Sequence, residues 1–539
     1  MEKQIIAAKL KKILNYLVSH QKNGVFPARS SYGETFSLLA LSITNQEIYK
    51  EFIDEFIDSY GKKDKSHYNF HWEFNNYALL TYLESSNDPT VHANVFPLKF
   101  KGTSCTNWTI LRGLSYILSN DTKKGLDEIN IKIKNYQLES GLIMDDPDVK
   151  SLQYHCFSMA LIAEVYERTN IETYKDSFLS AVDFISNFIL KNGMAIYIGR
   201  GQEQIFGYGP LLFSLEYAFK LTNKVYYKHL FNRVFEYVFS FQREDGSIPL
   251  VIREKEKGYP EVINVNDKSF LGWYNYNNYF DYLPFFAYYL SKTLKIYKDF
   301  DLSNLNSIPN KEKYSDDNYL VFSNHNYDAV IAKPGGYWTN DLPVPLIVSK
   351  QEVLTPCYGG EQYGSLLYSP KSIPLPWGRI SSQKEQFKDK IKKAAKKALG
   401  KPISNEYYFR DRLQFRFNQN SLIGEGHNVK FERHFSFRER EIEIKDIIVF
   451  KRFISFTEFF PVNLFAFNLV QEQNNLYKCI LNHNSLFIKG EGFKLDNDLY
   501  YCTLGEMNRI YKSLKDVSFS QGDSICYKYS LIIGDDYEV

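Results

Sequence analysis

Six stretches in the first three-fifths of the chain gather side chains that exchange protons, donate amide hydrogen bonds or stack against flat apolar faces. They read SSYGETFSLLAL (30–41), NFHWEFNNYALL (69–80), TSCTNWTILRGL (103–114), SLQYHCFSMALI (151–162), GRGQEQIFGYGPLL (199–212) and GWYNYNNYFDYLPFF (272–286). Each is rich in Asn, Gln, His, Tyr, Trp or Glu and then turns apolar. Phenol, imidazole and carboxyl groups carry protons, and amides and guanidinium bind oxygens. Indole and phenol rings offer platforms. That mixture suits a polyhydroxylated ligand.

Within these stretches several residues stand out. His71, Trp72, Glu73 and Asn75 cluster in the second, where Trp72 can stack on a ring face. Arg200, Gln202 and Gln204 alternate in the fifth, ahead of Tyr208. Two glycines there leave the backbone room to approach a ligand, and a Gln-x-Gln pair on an extended loop points both amides the same way. A salt bridge that ties the loop down accounts for Arg200 equally well. Tyr274, Tyr276, Tyr279, Asp281 and Tyr282 make the sixth stretch aromatic. Tyr276 and Tyr279 share a helical face, as do Tyr279 and Tyr282; packing explains most of these tyrosines. Glu34 in the first reads as a capping carboxylate.

The elements that position these residues are helices. Amphipathic stretches end in YLVSHQKNGVFP (16–27), KNYQLESGLIM (134–144), FILKNGMAIY (188–197) and VFSFQREDGSIPL (238–250). In each, a Gly able to take φ > 0 closes a helix and a short apolar tail follows. A second helix then begins, as in the Phe157, Leu161, Val165 stripe. The spacing of roughly 30–70 residues is that of helical-hairpin repeats. Six hairpins can close into a ring whose second helices form the inner wall. Their N-termini, and so the six stretches, would then line one funnel.

Composition sets the outer limits. The chain has 539 residues, more than one ordinary domain. Aromatic residues make up 17%, with 42 Tyr and 42 Phe. A net charge of +2 excludes a strongly basic nucleic-acid binder. The six cysteines (Cys105, Cys156, Cys357, Cys479, Cys502, Cys526) include no C-x-x-C pair, so neither a zinc nor a redox motif is expected. No cofactor is implied. The charged, amphipathic N-terminus lacks a signal-peptide apolar core, and no segment is apolar enough to span a membrane, so the expected location is the cytoplasm.

A polar, aperiodic stretch at 296–316 reads as a linker, dividing the chain into 1–300 and 301–539. Beyond it the hydrophobic period becomes two, as in RLQFRFN (412–418), VKFERHFSFREREIEIKDIIVF (429–450) and YKYSLIIG (527–534). Short alternating strands between Gly, Asn and Asp turns predict an antiparallel β-sandwich. The expected fold is therefore α+β and multidomain, an (α/α)6-type incomplete toroid followed by the sandwich. KEQFKDKIKKAAKKALGK (384–401), with eight lysines, reads as an inserted basic amphipathic helix. Its apolar stripe either packs on the sandwich or serves contact with an anionic membrane surface or glycan.

A toroid followed by a sandwich, with these junctions, resembles the heparinase-type and chondroitin-type polysaccharide lyases. Ser151-Leu152-Gln153-Tyr154-His155 is similar to the segment that carries the catalytic Tyr in heparinase-like enzymes. Asn107-Trp108 resembles the segment that supplies an Asn near the substrate carboxylate. The resemblance implies an anionic, uronate-containing glycan as substrate and β-elimination as the reaction. It also implies a sandwich His in the cleft, for which His325, His427 and His434 are candidates. The H-x-D pattern frequent in such sandwiches is absent.

Uronate β-elimination needs a group that neutralises the carboxylate, a base for the adjacent C–H proton and an acid for the leaving oxygen. Tyr154 is the leading base or acid and Asn107 the leading neutraliser, with Arg200 next. His155 is beside Tyr154, but successive helix residues diverge by about 100°. Trp108, Gln202, Gln204 and Tyr208 join His71, Trp72, Glu73, Asn75, Tyr276 and Tyr279 as substrate-binding candidates. A glycoside hydrolase on the same toroid is the first alternative, drawing on Glu34, Glu73, Glu203 and Asp281. A non-catalytic glycan-binding protein of surface-polysaccharide biosynthesis is the second.

Overall fold

The computed structural model describes residues 2–534 apart from 29, 67–69, 87, 255, 259–268, 271–277, 301–311, 335–341, 358–381, 384–386, 401–408, 410 and 412. Tyr274, Tyr276 and the centre of the expected linker lie outside the described residues. The chain divides into two compact units, Met1–Arg253 with Asn275–Pro309, and Glu254–Tyr274 with Asn310–Val539.

The first unit is helical. Its helices are α1 (Lys3–His20), α2 (Gly33–Asn45), α3 (Lys50–Lys62), α4 (Trp72–Ser86), α5 (Pro89–Val95), α6 (Thr106–Leu118), α7 (Thr122–Tyr136), α8 (Leu152–Thr169), α9 (Glu172–Ser186), α10 (Ile205–Thr222), α11 (Val225–Phe239) and α12 (Tyr279–Ile296). The even-numbered helices pack in a circuit, α2 on α4, then α6, α8, α10, α12 and back to α2. Their residues are buried almost all round, as in α8 from Leu152 to Val165. The odd-numbered helices lie outside and bury one stripe each, such as Ile53, Phe56, Ile57 and Tyr60 of α3. Five hairpins are continuous in sequence. The sixth joins the chain-distant pair α1 and α12. The six inner helices thus form a closed circuit, with the odd-numbered helices outside it.

The repeated Gly turns build this ring. Gly24, Gly141, Gly193 and Gly246 all have φ between 73° and 94°. In three of them the Gly N–H donates to the carbonyl three residues back, from Gly141 to Leu138, Gly193 to Leu190 and Gly246 to Arg243. Each Gly also presses its α-carbon onto the backbone of an outer helix. A Cβ there would overlap the carbonyl of Glu55, Ser180, Arg233 and Lys12 respectively. The last contact carries α11's turn onto α1 and helps close the outer ring.

The second unit is antiparallel β. Strands β1 (Lys313–Ser315), β2 (Tyr319–Ser323), β3 (Asp328–Ala332), β4 (Leu342–Ser349) and β5 (Glu352–Val353) form one sheet in that order. The remaining elements are β6 (Ser382–Gln383), α13 (Phe387–Ala398), β7 (Gln414–Asn418), β8 (Ser421–Glu425), β9 (Val429–Phe437), β10 (Glu441–Phe450), β11 (Ile454–Ala466), β12 (Leu469–Gln473), β13 (Leu476–Ile480), β14 (Ser485–Gly490), β15 (Lys494–Cys502), β16 (Gly505–Phe519) and β17 (Ser524–Gly534). An eight-stranded sheet runs β12-β13-β14-β17-β10-β9-β8-β7, and a four-stranded one runs β15-β16-β11-β6. One apolar core, including Leu320, Ile347, Ile444, Leu464 and Ile510, draws on all three sheets. Strand β10 alternates perfectly, burying Ile442, Ile444, Asp446, Ile448 and Phe450. Asp446 is the exception to apolarity. It faces Arg433 across the β9–β10 register and accepts two hydrogen bonds of 2.6 Å from its guanidinium.

The basic segment is helical from Phe387 to Ala398, as expected, but the described part of its stripe is open rather than packed on the sandwich: Ile391 is 56% exposed. Among the described residues no helix is long and apolar enough to cross a membrane.

Gly246→Ala and Gly141→Ala combine a left-handed backbone with overlap onto a carbonyl, and each is expected to cost about 2 kcal/mol or more. Gly102, at φ 73° with nothing within 4 Å of a built Cβ, serves as control, and its Ala variant is expected to lose about 1 kcal/mol. Urea unfolding followed by circular dichroism measures both. In the sandwich, Asp446→Ala strands a buried guanidinium and is expected to cost about 3–5 kcal/mol in the same assay.

Candidate active site

All six polar stretches end up where the inner helices begin, and together they line one cavity of about 670 Å³. The first supplies Ser30, Ser31 and Tyr32; the second Phe70, His71 and Phe74; the third Thr103, Cys105, Asn107 and Trp108. Tyr154 comes from the fourth, Arg200 and Phe206 from the fifth, and Asn278, Asp281 and Tyr282 from the sixth. Lys63, Asp64, Lys101 and Asp145 join from the connecting loops. Helix N-termini present unsatisfied N–H groups and a partial positive charge. The partial positive charge of these helix starts adds to Lys63, Lys101 and Arg200, and is set against the carboxyl groups of Asp64, Asp145 and Asp281.

Tyr154, Arg200 and Asp145 form the polar centre. The Arg200 guanidinium lies 5.4 Å from the Tyr154 ring centroid and its nearest nitrogen 4.0 Å from Asp145 Oδ2. Ser151 Oγ fixes the Arg200 loop by donating to the Arg200 carbonyl at 2.7 Å. Burial pushes the Tyr154 phenol up to about 12, although Arg200 pulls the other way, so it holds its proton at neutral pH. Burial pushes the Asp145 carboxyl up to about 7, with Arg200 opposing. Burial works against the Arg200 charge, but Tyr154 and Asp145 hold it protonated.

Across from these, His71 and Asn107 carry unused hydrogen-bonding capacity. His71 Nδ1 and Asn107 Oδ1 are buried and find no partner among the described residues. An unsatisfied buried polar atom costs about 1–3 kcal/mol, which a bound hydroxyl that donates to it would recover. Burial, with Lys101 and Lys63 nearby, lowers His71 to about 3, so the imidazole is neutral at pH 7. His71 packs on Trp108 with ring centroids 4.8 Å apart, and Lys101 Nζ lies 5.6 Å from the Trp108 ring. Trp108 is half-buried and gives the cavity an indole wall.

Several expected site residues are placed elsewhere. His155 turns away from Tyr154 into the helix layer, where Nδ1 accepts from the Ile143 N–H at 3.0 Å and Nε2 meets the Ala181 carbonyl at 3.1 Å. Glu73 is buried, accepting from the Lys101 and Gly102 N–H groups and facing Arg112 at 3.7 Å. Asn75 bridges the Ser31 and His71 carbonyls. Trp72 packs on Phe70 and under Lys99. Gln202 and Gln204 are not on an extended strand. Gly201 and Glu203 take φ of 80° and 54°, and the chain coils so that both amides enter the wall. There Gln202 donates to the Tyr197 carbonyl and Gln204 accepts from Gln153. Tyr208 and Tyr237 donate to the buried Glu203. The Tyr279 hydroxyl accepts from the Ile248 N–H at 3.2 Å. These residues shape the cavity's walls without lining it.

The three histidine candidates belong to the second unit. His325 and His427 are exposed in turns, and His434 on β9 meets Ser421 Oγ at 2.7 Å and Glu432 at 3.3 Å.

Asp145, Lys63 and Lys101 were missed in the sequence. Asp145 falls one residue beyond the KNYQLESGLIM turn, in a DDPD stretch that reads as loop. Ligand atoms of Cys105, Asp145 and Asp146 lie within 4.8 Å of one another, the donor set nearest to a metal site among the described residues. Arg200 already presents positive charge to that carboxylate.

No family model and no curated protein sequence matches the chain. Solved structures do. A heparan sulfate lyase HepC from Pedobacter heparinus is 10% identical, with 98% of this chain and 83% of that one covered and a TM-score of 0.48. A heparinase III structure is 10% identical over 99% of this chain and 85% of that one, TM-score 0.49. An unsaturated glucuronyl hydrolase from Streptococcus agalactiae is 11% identical and covers 56% of this chain and 94% of that one, TM-score 0.41. The first two carry the names of the family that the Tyr154 and Asn107 segments resemble. At these identities and scores the likeness transfers no chemistry, which has to come from the cavity's own residues.

Asp145 supplies a pH test. Its folded pKa of about 7 lies above the ordinary 3.8. Between these values the unfolded chain releases a proton that the folded chain keeps, so stability falls as pH rises through the window. Asp145→Asn removes that fall. It is expected to be more stable than wild type by roughly 2–4 kcal/mol at about pH 8 and equal to it at about pH 3.5. Urea midpoints across pH check this.

Proposed function

We propose that the chain is a carbohydrate-active enzyme that cleaves an anionic, uronate-containing glycan in the toroid cavity, by β-elimination. The observation that carries this reading is the meeting of a protonated phenol, a guanidinium and a neutral imidazole in one cavity, beside a carboxamide whose buried oxygen has no partner among the described residues. Arg200 and the Asn107 amide bind the uronate carboxylate and draw off its charge, which acidifies the adjacent C–H. Neutral His71 takes that proton. The electron pair forms the new carbon–carbon double bond, the neighbouring carbon–oxygen bond breaks, and the Tyr154 phenol protonates the departing oxygen. Trp108 supplies a stacking face for a sugar ring.

A glycoside hydrolase is the second reading, and Asp145 is the observation that favours it: a carboxyl group near pKa 7 inside the cavity suits a general acid. The partner acid would be Asp281. Its Oδ1 already accepts from the Ser31, Tyr32 and Gly33 N–H groups, and its Oδ2 from Asn278. That occupancy leaves it poorly disposed to act on a water or a sugar, so elimination ranks first.

Purified protein and a panel of uronate polysaccharides decide between them. Elimination produces an unsaturated uronate that absorbs in the ultraviolet; hydrolysis produces reducing ends without that absorbance. Tyr154→Phe is expected to lower kcat by about 10²–10⁴-fold with folding intact. Asn107→Ala and Arg200→Gln are expected to lower kcat/KM by roughly 10²–10³-fold. Reducing ends without absorbance, abolished by Asp145→Asn, would establish the hydrolase instead. Binding without any product would leave the toroid a glycan receptor.

A further inference from the structure

Helix α13 has no part in the cavity chemistry. Between Lys384 and Lys401 the chain carries eight lysines against Glu385 and Asp389. At about 100° per residue, Phe387, Ile391, Ala394, Ala395 and Ala398 fall within one arc of the helix. Lys388 and Lys390 flank that arc, and Lys392, Lys393, Lys396 and Lys397 occupy the far side. A helix so patterned in a folded domain ordinarily buries its apolar arc. Here Ile391 is 56% exposed and Leu399, just past the helix end, 69%. Ala394, Ala395 and Ala398 are exposed too. Among the described residues α13 makes no substantial packing contact with another helix or strand. None of its residues joins the apolar clusters of the sandwich.

We propose that α13 is a docking segment for an anionic lipid surface, on which it lies flat. Two features of the helix select this occupant. The lysines demand a surface dense in negative charge, and the open apolar arc demands somewhere dry to go. A soluble anionic polysaccharide meets the first demand and leaves Ile391 and Leu399 in water. Anionic headgroups over acyl chains meet both, since the arc enters the boundary while the lysines stay at the phosphates. Lys390, at the edge of the arc, is placed to run its methylene stem along the boundary and keep its ammonium group at the headgroups. Twelve residues fall well short of the roughly 20 needed to span, so the contact is peripheral. It is reversible and weakened by salt. This inference is independent of the cavity chemistry.

Vesicle sedimentation of the full chain tests it. The protein is expected to sediment with phosphatidylcholine–phosphatidylglycerol vesicles and to stay in solution with pure phosphatidylcholine. Replacing Lys392, Lys393, Lys396 and Lys397 by Gln keeps helix propensity and is expected to lower the partition coefficient roughly 600-fold, at about fivefold per lysine. Ile391→Gln with Leu399→Gln keeps every charge and is expected to lower it several-fold. Lys392, Lys396, Lys397, Ile391 and Leu399 are exposed, and circular dichroism should show each variant folded. Three results would overturn the proposal. They are equal sedimentation with and without anionic lipid, a lysine variant that binds like wild type, and an apolar variant that binds undiminished. Retention on a sulfated polysaccharide resin with no vesicle binding would also overturn it, assigning the helix to glycan.

Discussion

A ring of helices needs a bond between residues far apart in the chain, and here Asp281 supplies it. In the first turn of α12, its Oδ1 accepts from the backbone N–H groups of Ser31, Tyr32 and Gly33 at 2.7–3.1 Å. These are donors at the start of α2 that no intrahelical carbonyl can reach. One carboxylate therefore caps the first inner helix from the last, some 250 residues on. Gly33 lets the two backbones meet, since a Cβ there would overlap the Phe280 carbonyl. Burial raises the Asp281 carboxyl to about 7 despite these donors, a measure of how dry the joint is.

Closure at this point decides the character of the cavity. With the ring shut, all six inner-helix N-termini face one space. The chain has filled that space with a mixed set of charges and has left the acids compensated. Glu34 is held by Lys63 at 2.9 Å, Glu73 by Arg112 and backbone N–H groups, and Glu203 by Tyr208, Tyr237 and the wall. None of the three lines the cavity. What remains facing inward is Arg200 and Lys101 with Asp64, Asp145 and Asp281, beside a phenol and an imidazole that burial keeps neutral. Low dielectric strengthens each of these groups toward a charged ligand.

Much of this was legible in the sequence. The four Gly turns and six polar-aromatic junctions repeat because each hairpin solves the same steric problem, and the structure puts the junctions at the inner-helix starts. The β alternation was equally plain in β9 and β10. What escaped was side-chain direction. Tyr154 and His155 are neighbours, and only rotation about α8 separates the cavity from the packing layer. Gln202 and Gln204 look like paired donors until the left-handed residues Gly201 and Glu203 coil the loop. Asp145 hides in a turn whose composition promises only solvent. Arg433 and Asp446 occupy core positions that pattern reading assigns to apolar residues, because their mutual hydrogen bonds replace water.

The most direct test is a crystal structure of the Tyr154→Phe protein with a uronate oligosaccharide. A sugar carboxylate is expected within hydrogen-bond reach of Arg200 and Asn107, with the carbon beside it facing His71 and the glycosidic oxygen over the position of the missing hydroxyl. A ligand bound outside the six-helix cavity, or one seated there with its carboxylate turned away from Arg200, would contradict the proposed elimination.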